Sequence, residues 1–335
     1  MVERDYGIVE ATGSNPVRST NLKKAGPGFF EINMTLDIIS RIKHWKNKRR
    51  AIILSHNYQL PEVQDIADFV GDSLQLSQEA AKTNAKMIVF CGVHFMAETA
   101  KILNPKKTVV VPDLNAGCPM ANMIDASRLK KLKNEHLKAK VVCYVNTTAE
   151  VKAESDICCT SSNAQKIVDS LSCKEIIFVP DKYLGEWVAR KSSKKFIFYP
   201  GYCVTHVKIL DKDIMRLKKR YPKAKVLCHP ECTIPVKTIS DFVLSTGQMI
   251  KEVKENPAKE FIVATEEGII HQMRKQNPHK KFYHPSPSAI CPNMKKTNLL
   301  KILDALENPK NHEVTVRKII ADKARLAIKR MLAVN

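Results

Sequence analysis

No run in this chain reaches the roughly 18 consecutive apolar residues that a membrane-spanning helix requires. Its start also lacks the basic, then apolar, then small-residue order of a secretory signal. These absences point to an unexported, cytoplasmic protein with no membrane partner. Acidic charge is scarce: 34 Asp plus Glu stand against 55 Lys plus Arg in 335 residues, a formal net charge of +21. The lysines are scattered along stretches such as RLKKLKNEHLKAK and RLKKRYPKAK without a recognisable nucleic-acid module. We therefore read the excess as a solvated basic surface that attracts anionic metabolites and expect no nucleic-acid partner. The RNA-binding alternative would show itself as steeply salt-dependent affinity. The 10 cysteines include no CxxC pair, and in a reducing compartment a disulfide framework is not expected.

What is present is a globular composition, 44% hydrophobic, in a length suited to two or three domains. Residues 1–33 stand apart. They balance four basic residues (Arg4, Arg18, Lys23, Lys24) with four acidic ones (Glu3, Asp5, Glu10, Glu31) and contain the turn-forming stretch ATGSNPVRSTNLKKAGPG. That pattern predicts a poorly ordered extension, with Met34 as the biological start.

From Met34 onward the chain repeats itself three times. AIILSHNYQLPEVQDIADFVGDSLQLSQEA, KVVCYVNTTAEVKAESDICCTSSNAQKIVD and KVLCHPECTIPVKTISDFVLSTGQMIKEVK align on apolar runs that end at His56, Tyr144 and His229. Two residues later stand Tyr58, Asn146 and Glu231; at twelve, Asp68, Asp156 and Asp241; at seventeen, Ser73, Ser161 and Thr246. Each copy continues with a strand-like run, an amphipathic helix and a last apolar run. Short apolar runs alternating with helices predict parallel sheets covered on both faces. The fold class is α/β: three pseudo-threefold-related three-layer αβα domains around a central active site. They are placed at 34–137, 138–222 and 223–335, the last with a C-terminal helical tail.

The repeat divides the cysteines into two sets. Cys118 follows His56 by 62 residues, Cys203 follows Tyr144 by 59, and Cys291 follows His229 by 62. Each lies beyond the carboxyl end of the last strand of its repeat, the edge where open parallel sheets bind ligands. Cys91, Cys143, Cys158, Cys159, Cys228 and Cys232 read as buried packing residues. Three converging thiolates without a fourth suit a metal centre with an open position. A 4Fe-4S cluster fits better than a structural zinc, which prefers four ligands at short spacing. His206, three residues after Cys203, could complete a zinc site, but the other repeats have Met120 and Met294 nearby, and we read it as a substrate contact. His56, Tyr58, Tyr144, Asn146, His229 and Glu231 would project to the same axis as hydrogen-bonding and acid-base groups. The turns GDS, TSS and STG bring Ser73, Ser161 and Thr246 to helix N-termini, which suit a substrate with several carboxylate or phosphate groups.

The segments HNYQLPEVQDIADFVGDSLQLS, GVHFMAETAKILNP, GCPMANM, YVNTTAE, HPEC, STGQM and CPNMKK together strongly resemble the quinolinate synthase family, transferases of de novo NAD biosynthesis. The resemblance runs from about residue 36 to the end of the chain. It implies a 4Fe-4S cluster on Cys118, Cys203 and Cys291, and a condensation of iminoaspartate with dihydroxyacetone phosphate that releases quinolinate, phosphate and two waters. It also implies a substrate set of His56, Tyr58, Ser73, Tyr144, Asn146, Ser161, His206, His229, Glu231, Ser245 and Thr246. Among these, Tyr58, Glu231 and His229 are the catalytic candidates. A further implied partner is the enzyme that produces iminoaspartate. Cys291 is followed by Pro292, Asn293 and Met294, so the CxxC that some relatives carry there is absent. A radical enzyme resembling those of diphthamide synthesis also has three one-cysteine repeats; cleavage of S-adenosylmethionine would distinguish it.

Overall fold

The computed structural model describes residues 27–334, with side chains from residue 34. The first repeat runs α1 (Pro27–Arg49), β1 (Ala51–His56), α2 (Pro61–Ile66), β2 (Phe69–Gly71), α3 (Ser73–Lys82), β3 (Met87–Cys91), α4 (His94–Leu103), β4 (Thr108–Val110) and α5 (Ala126–Glu135). The second has β5 (Lys140–Tyr144), α6 (Ala149–Ala153), β6 (Ile157–Cys159), α7 (Ala164–Asp169), β7 (Glu175–Val179), α8 (Lys182–Ala189), β8 (Lys195–Phe198) and α9 (Asp211–Arg220). The third has β9 (Lys225–Cys228), α10 (Ile234–Thr238), β10 (Phe242–Val243), α11 (Thr246–Glu255), β11 (Glu260–Ala264), α12 (Ile269–Gln276), β12 (Lys281–Tyr283) and α13 (Leu299–Glu307), after which comes α14 (Lys318–Ala333). The extension expected at 1–33 falls outside the described residues as far as 26. Its expected boundary lies inside α1, which begins at Pro27.

The three sheets share one topology, β2-β1-β3-β4, β6-β5-β7-β8 and β10-β9-β11-β12, and every pairing in them is parallel. Even the register recurs. Leu54 pairs with Phe69, Val142 with Ile157 and Leu227 with Phe242, an offset of 15 residues each time. The central strands are mostly apolar, as in MIVFC of β3, because helices cover both faces of the sheet.

Recurrence of the aspartate now has a physical cause. Asp68, Asp156 and Asp241 each accept a hydrogen bond from the backbone N–H of a first-strand residue, Ile53, Val141 and Val226, at 2.8, 2.9 and 2.8 Å. Their second oxygens pair with Lys46, Lys140 and Lys225 at 2.5, 3.0 and 3.1 Å. The aspartate ties the entry of the second strand to the first and lies away from the site.

The repeats are closed by exchange. Each terminal helix packs on the following repeat: α5 against α6, α9 against α10 and β11, and α13 against β3. Leu299, Ile302, Leu303 and Leu306 of α13 thereby share a core with Ile53 and Val89 of the first sheet. Helix α14 packs on α4, α6 and β6. The C-terminal tail that sequence order assigns to the third repeat therefore lies against the first and second repeats.

Burial tends to raise the Asp241 carboxyl, but the Val226 amide and Lys225 outweigh it and hold it below its usual 3.8. A group lowered on folding stabilises the protein above its unfolded pKa and loses that contribution as pH falls through the folded value. Asp241→Asn is expected to cost about 1–2 kcal/mol at pH 7. In thermal denaturation, the gap to the parent should shrink as the pH falls below about 4.

Candidate active site

The carboxyl ends of the three sheets open on one cavity. Its walls include His56, Tyr58 and Ser73 from the first repeat, Tyr144, Asn146, Ser161 and His206 from the second, and His229, Glu231 and Thr246 from the third. Cys118, Cys203 and Cys291 line it as well. Of the residues expected from sequence, Ser245 alone is outside this lining. It N-caps α11 by accepting the Gln248 N–H, and its hydroxyl meets Ser162 and Asp72. Ser245 thus belongs to a junction of three helix-start turns, one from each repeat. Gly247 makes the junction possible, since a Cβ there would lie 2.6 Å from Asp72 Oδ2.

Strand-end histidines are fixed by the backbone that follows them. The Tyr58 N–H donates to His56 Nδ1 at 3.2 Å, and the Glu231 N–H donates to His229 Nδ1 at 3.3 Å. Burial pulls both rings down to about 3 against the opposing pull of Glu231. Each is therefore neutral with Nε2 as the donor, and His229 Nε2 lies 3.2 Å from Ser161 Oγ.

Glu231, only 3% exposed, accepts from Tyr144 Oη at 2.6 Å and from Asn146 Nδ2 at 3.4 Å on one oxygen. Its other oxygen lies 2.8 Å from His206 Nδ1. Burial works to raise this carboxyl, but His206, His229 and the Tyr144 hydroxyl hold it below the usual carboxylate range. His206 Nε2 lies 2.8 Å from Thr265 Oγ1, which lies 2.5 Å from Tyr58 Oη. A continuous hydrogen-bonded chain thus runs Tyr58–Thr265–His206–Glu231–Tyr144, through all three repeats. Burial pushes both tyrosines well above their usual pKa, so each keeps its proton.

Each lining cysteine opens a short turn whose amides face its sulfur: Ala121 and Met120 at Cys118, His206 and Thr205 at Cys203, Met294 and Asn293 at Cys291. Burial nevertheless dominates, lifting Cys118 to about 12 and Cys203 well above its usual value. Among the described residues, donor atoms of Cys203, His206 and Glu231 lie within 4.8 Å of one another, a set suited to a metal ion.

Sequence reasoning missed Thr265, Glu266 and Asn57. Thr265 and Glu266 follow β11 where the other repeats have Gly92-Val93 and Pro180-Asp181, so no recurring hydroxyl marks the first. Glu266 accepts the Cys291 N–H at 3.1 Å and pairs with Lys295 at 2.9 Å. Asn57 donates to Thr246 Oγ1 at 3.0 Å. The described lining holds no Lys or Arg, so anions must be met by amides, hydroxyls and imidazoles.

The family model described as Quinolinate synthetase A protein matches residues 40–333. The chain belongs to this family. It is 54% identical over 302 residues to the quinolinate synthase of Dehalococcoides mccartyi strain CBDB1, covering 90% of this chain and 100% of that protein. It is 53% identical over 299 residues to quinolinate synthase 1 of Methanosarcina acetivorans, covering 89% and 98%. With the quinolinate synthase of Alkaliphilus metalliredigens the identity is 50% over 300 residues, covering 89% and 99%.

Ser245→Ala should cost about 1 kcal/mol of stability as a lost cap and raise substrate KM less than Thr246→Val, because Thr246 lines the cavity and Ser245 does not. Steady-state kinetics beside thermal melts separate the two effects; a larger KM change in the Ser245 variant would contradict this assignment.

Proposed function

We propose that the chain is a quinolinate synthase, joining iminoaspartate to dihydroxyacetone phosphate and releasing phosphate and two waters. The observation that carries the reading is the one cavity lined by every expected site residue except Ser245. In the proposed reaction the C–O bond to phosphate breaks and the iminoaspartate methylene carbon, losing a proton, forms a C–C bond to the carbon that carried it. The remaining hydroxyketone isomerises to a hydroxyaldehyde, and the nitrogen closes the six-membered ring on the aldehyde carbon with loss of one water. Loss of the last hydroxyl as a second water gives the aromatic ring.

The three cysteines fit a 4Fe-4S cluster. Buried thiols raised as these are stay protonated until a metal centre displaces the proton, and the paired amides at each sulfur suit a thiolate. When bound, such a cluster supplies an iron without a protein ligand, a Lewis acid toward substrate oxygens. A single zinc on Cys203, His206 and Glu231 is the second reading, favoured by the closeness of their donor atoms. Against it, such an ion would use one of the three lining cysteines and leave Cys118 and Cys291 without a role.

The chain's own residues do the rest. The N-termini of α3 and α11, with Ser73, Thr246 and the nearby Ser161, receive carboxylate and phosphate oxygens. His56 and His229 donate Nε2–H to carboxylates. Tyr58 serves as a proton donor, and Glu231, catalytic with His229, accepts a proton that the Thr265–His206 chain can return to Tyr58. The imine substrate hydrolyses in water, which favours delivery by the enzyme that forms it. Free thiols at all ten cysteines accord with a reducing cytoplasm, and no described helix is long and apolar enough to cross a membrane.

Glu231→Gln should lower kcat at least about 100-fold with iron content unchanged, measured as quinolinate formed from the two substrates. Normal turnover in that variant would remove its acid-base role.

A further inference from the structure

Three buried side chains outside the cavity occupy one repeat position. Gln64, Lys152 and Lys237 stand eight residues after His56, Tyr144 and His229 and are 2%, 0% and 3% exposed. Each lies on the short helix that follows its strand end, where side chains lean toward the helix N-terminus and so toward the preceding loop. Each donates to a carbonyl next to the functional residue of that loop: Gln64 to both flanking ones, Lys152 to the one after Asn146 and Lys237 to the one before Glu231. Gln64 Nε2 donates to Asn57 O at 3.2 Å and Gln59 O at 2.8 Å, on either side of Tyr58. Lys152 Nζ donates to Thr147 O at 2.5 Å, next to Asn146. Lys237 Nζ donates to Pro230 O at 2.9 Å, next to Glu231, and to Tyr183 O at 2.5 Å.

A strand-end loop that turns polar side chains into a cavity leaves its own carbonyls facing the interior, and buried carbonyls need donors. We infer that Gln64, Lys152 and Lys237 are positioning residues, a threefold clamp that sets Tyr58, Asn146 and Glu231 at the site by holding the carbonyls beside them. The inference rests on the functional reading above for which loops matter, and, for the clamp itself, on three donors at one repeat position, each on a carbonyl adjacent to its loop's functional residue. Because a neutral amide does in the first repeat what an ammonium does in the other two, the essential property is the donor and not the charge.

The test uses the full, metal-loaded chain in two variants. Lys237→Met keeps a stem of similar length and removes the donor, and Lys237→Gln installs the donor of the first repeat. Hydrogen exchange is followed at residues 229–232 and across β9, together with kcat and KM. We expect Lys237→Met to speed exchange in 229–232 by about tenfold or more while β9 is unchanged. Its kcat should fall about tenfold or more with KM within about threefold, and Lys237→Gln should restore both. Parent-like exchange and kcat in a folded Lys237→Met protein would overturn the clamp, as would a Gln variant no better than the Met variant. Should Lys237→Met fail to fold, the Gln variant decides: folded and active upholds the clamp, folded with a loosened 229–232 segment overturns it. The exchange readout is independent of the reaction. A parent that makes no quinolinate would therefore count against the functional reading and leave the clamp to be judged by exchange.

Discussion

A carboxylate as deeply buried as Glu231 can persist only if its lone pairs are spoken for, because an unpaired buried charge costs several kcal/mol. Its partners come from elsewhere in the chain: Tyr144 and Asn146 at the end of β5, and His206 in the loop beyond β8. All three belong to the second repeat and Glu231 to the third, so its own repeat does not satisfy it alone. The requirement that three strand-end clusters meet at one point, each completing the hydrogen bonds of the others, is what the remaining architecture serves. Identical sheet registers bring equivalent residues to equivalent heights. The Asp72–Ser162–Ser245 junction holds the helix-start turns together, and the helices α5, α9 and α13 lock each repeat onto the next.

The cavity also reconciles a basic protein with an uncharged welcome for anions. The +21 excess can draw anionic substrates by long-range attraction, while the cavity wall offers neutral imidazole N–H, hydroxyls and helix-end amides. Such preset dipoles bind charge without bringing a competing counter-charge beside Glu231 and the thiols.

Much of this was legible because the chain states it three times. A lone His56 or Glu231 would be ambiguous in sequence; recurrence at fixed offsets separated strand-end positions from core, and separated Cys118, Cys203 and Cys291 from the packing cysteines. Recurrence alone does not say what a position does: Asp68, Asp156 and Asp241 recur for a backbone reason, while Ser245, expected from the family resemblance, caps α11. Where the threefold pattern is broken, sequence was silent. Thr265 has glycine and proline as counterparts, and the clamp position holds Gln in one copy and Lys in two. The placement of α13 and α14 on earlier sheets was not legible either, because nothing in an amphipathic helix says which distant face it covers.

The account depends most directly on three thiols sharing one iron-sulfur centre. Iron and acid-labile sulfide should be counted per chain in anaerobically purified protein and in variants with Cys118, Cys203 or Cys291 changed singly to Ala. The account predicts about four of each in the parent, and loss of the cluster in every variant. One zinc with no sulfide, or a cluster untouched by any of the three changes, would contradict it.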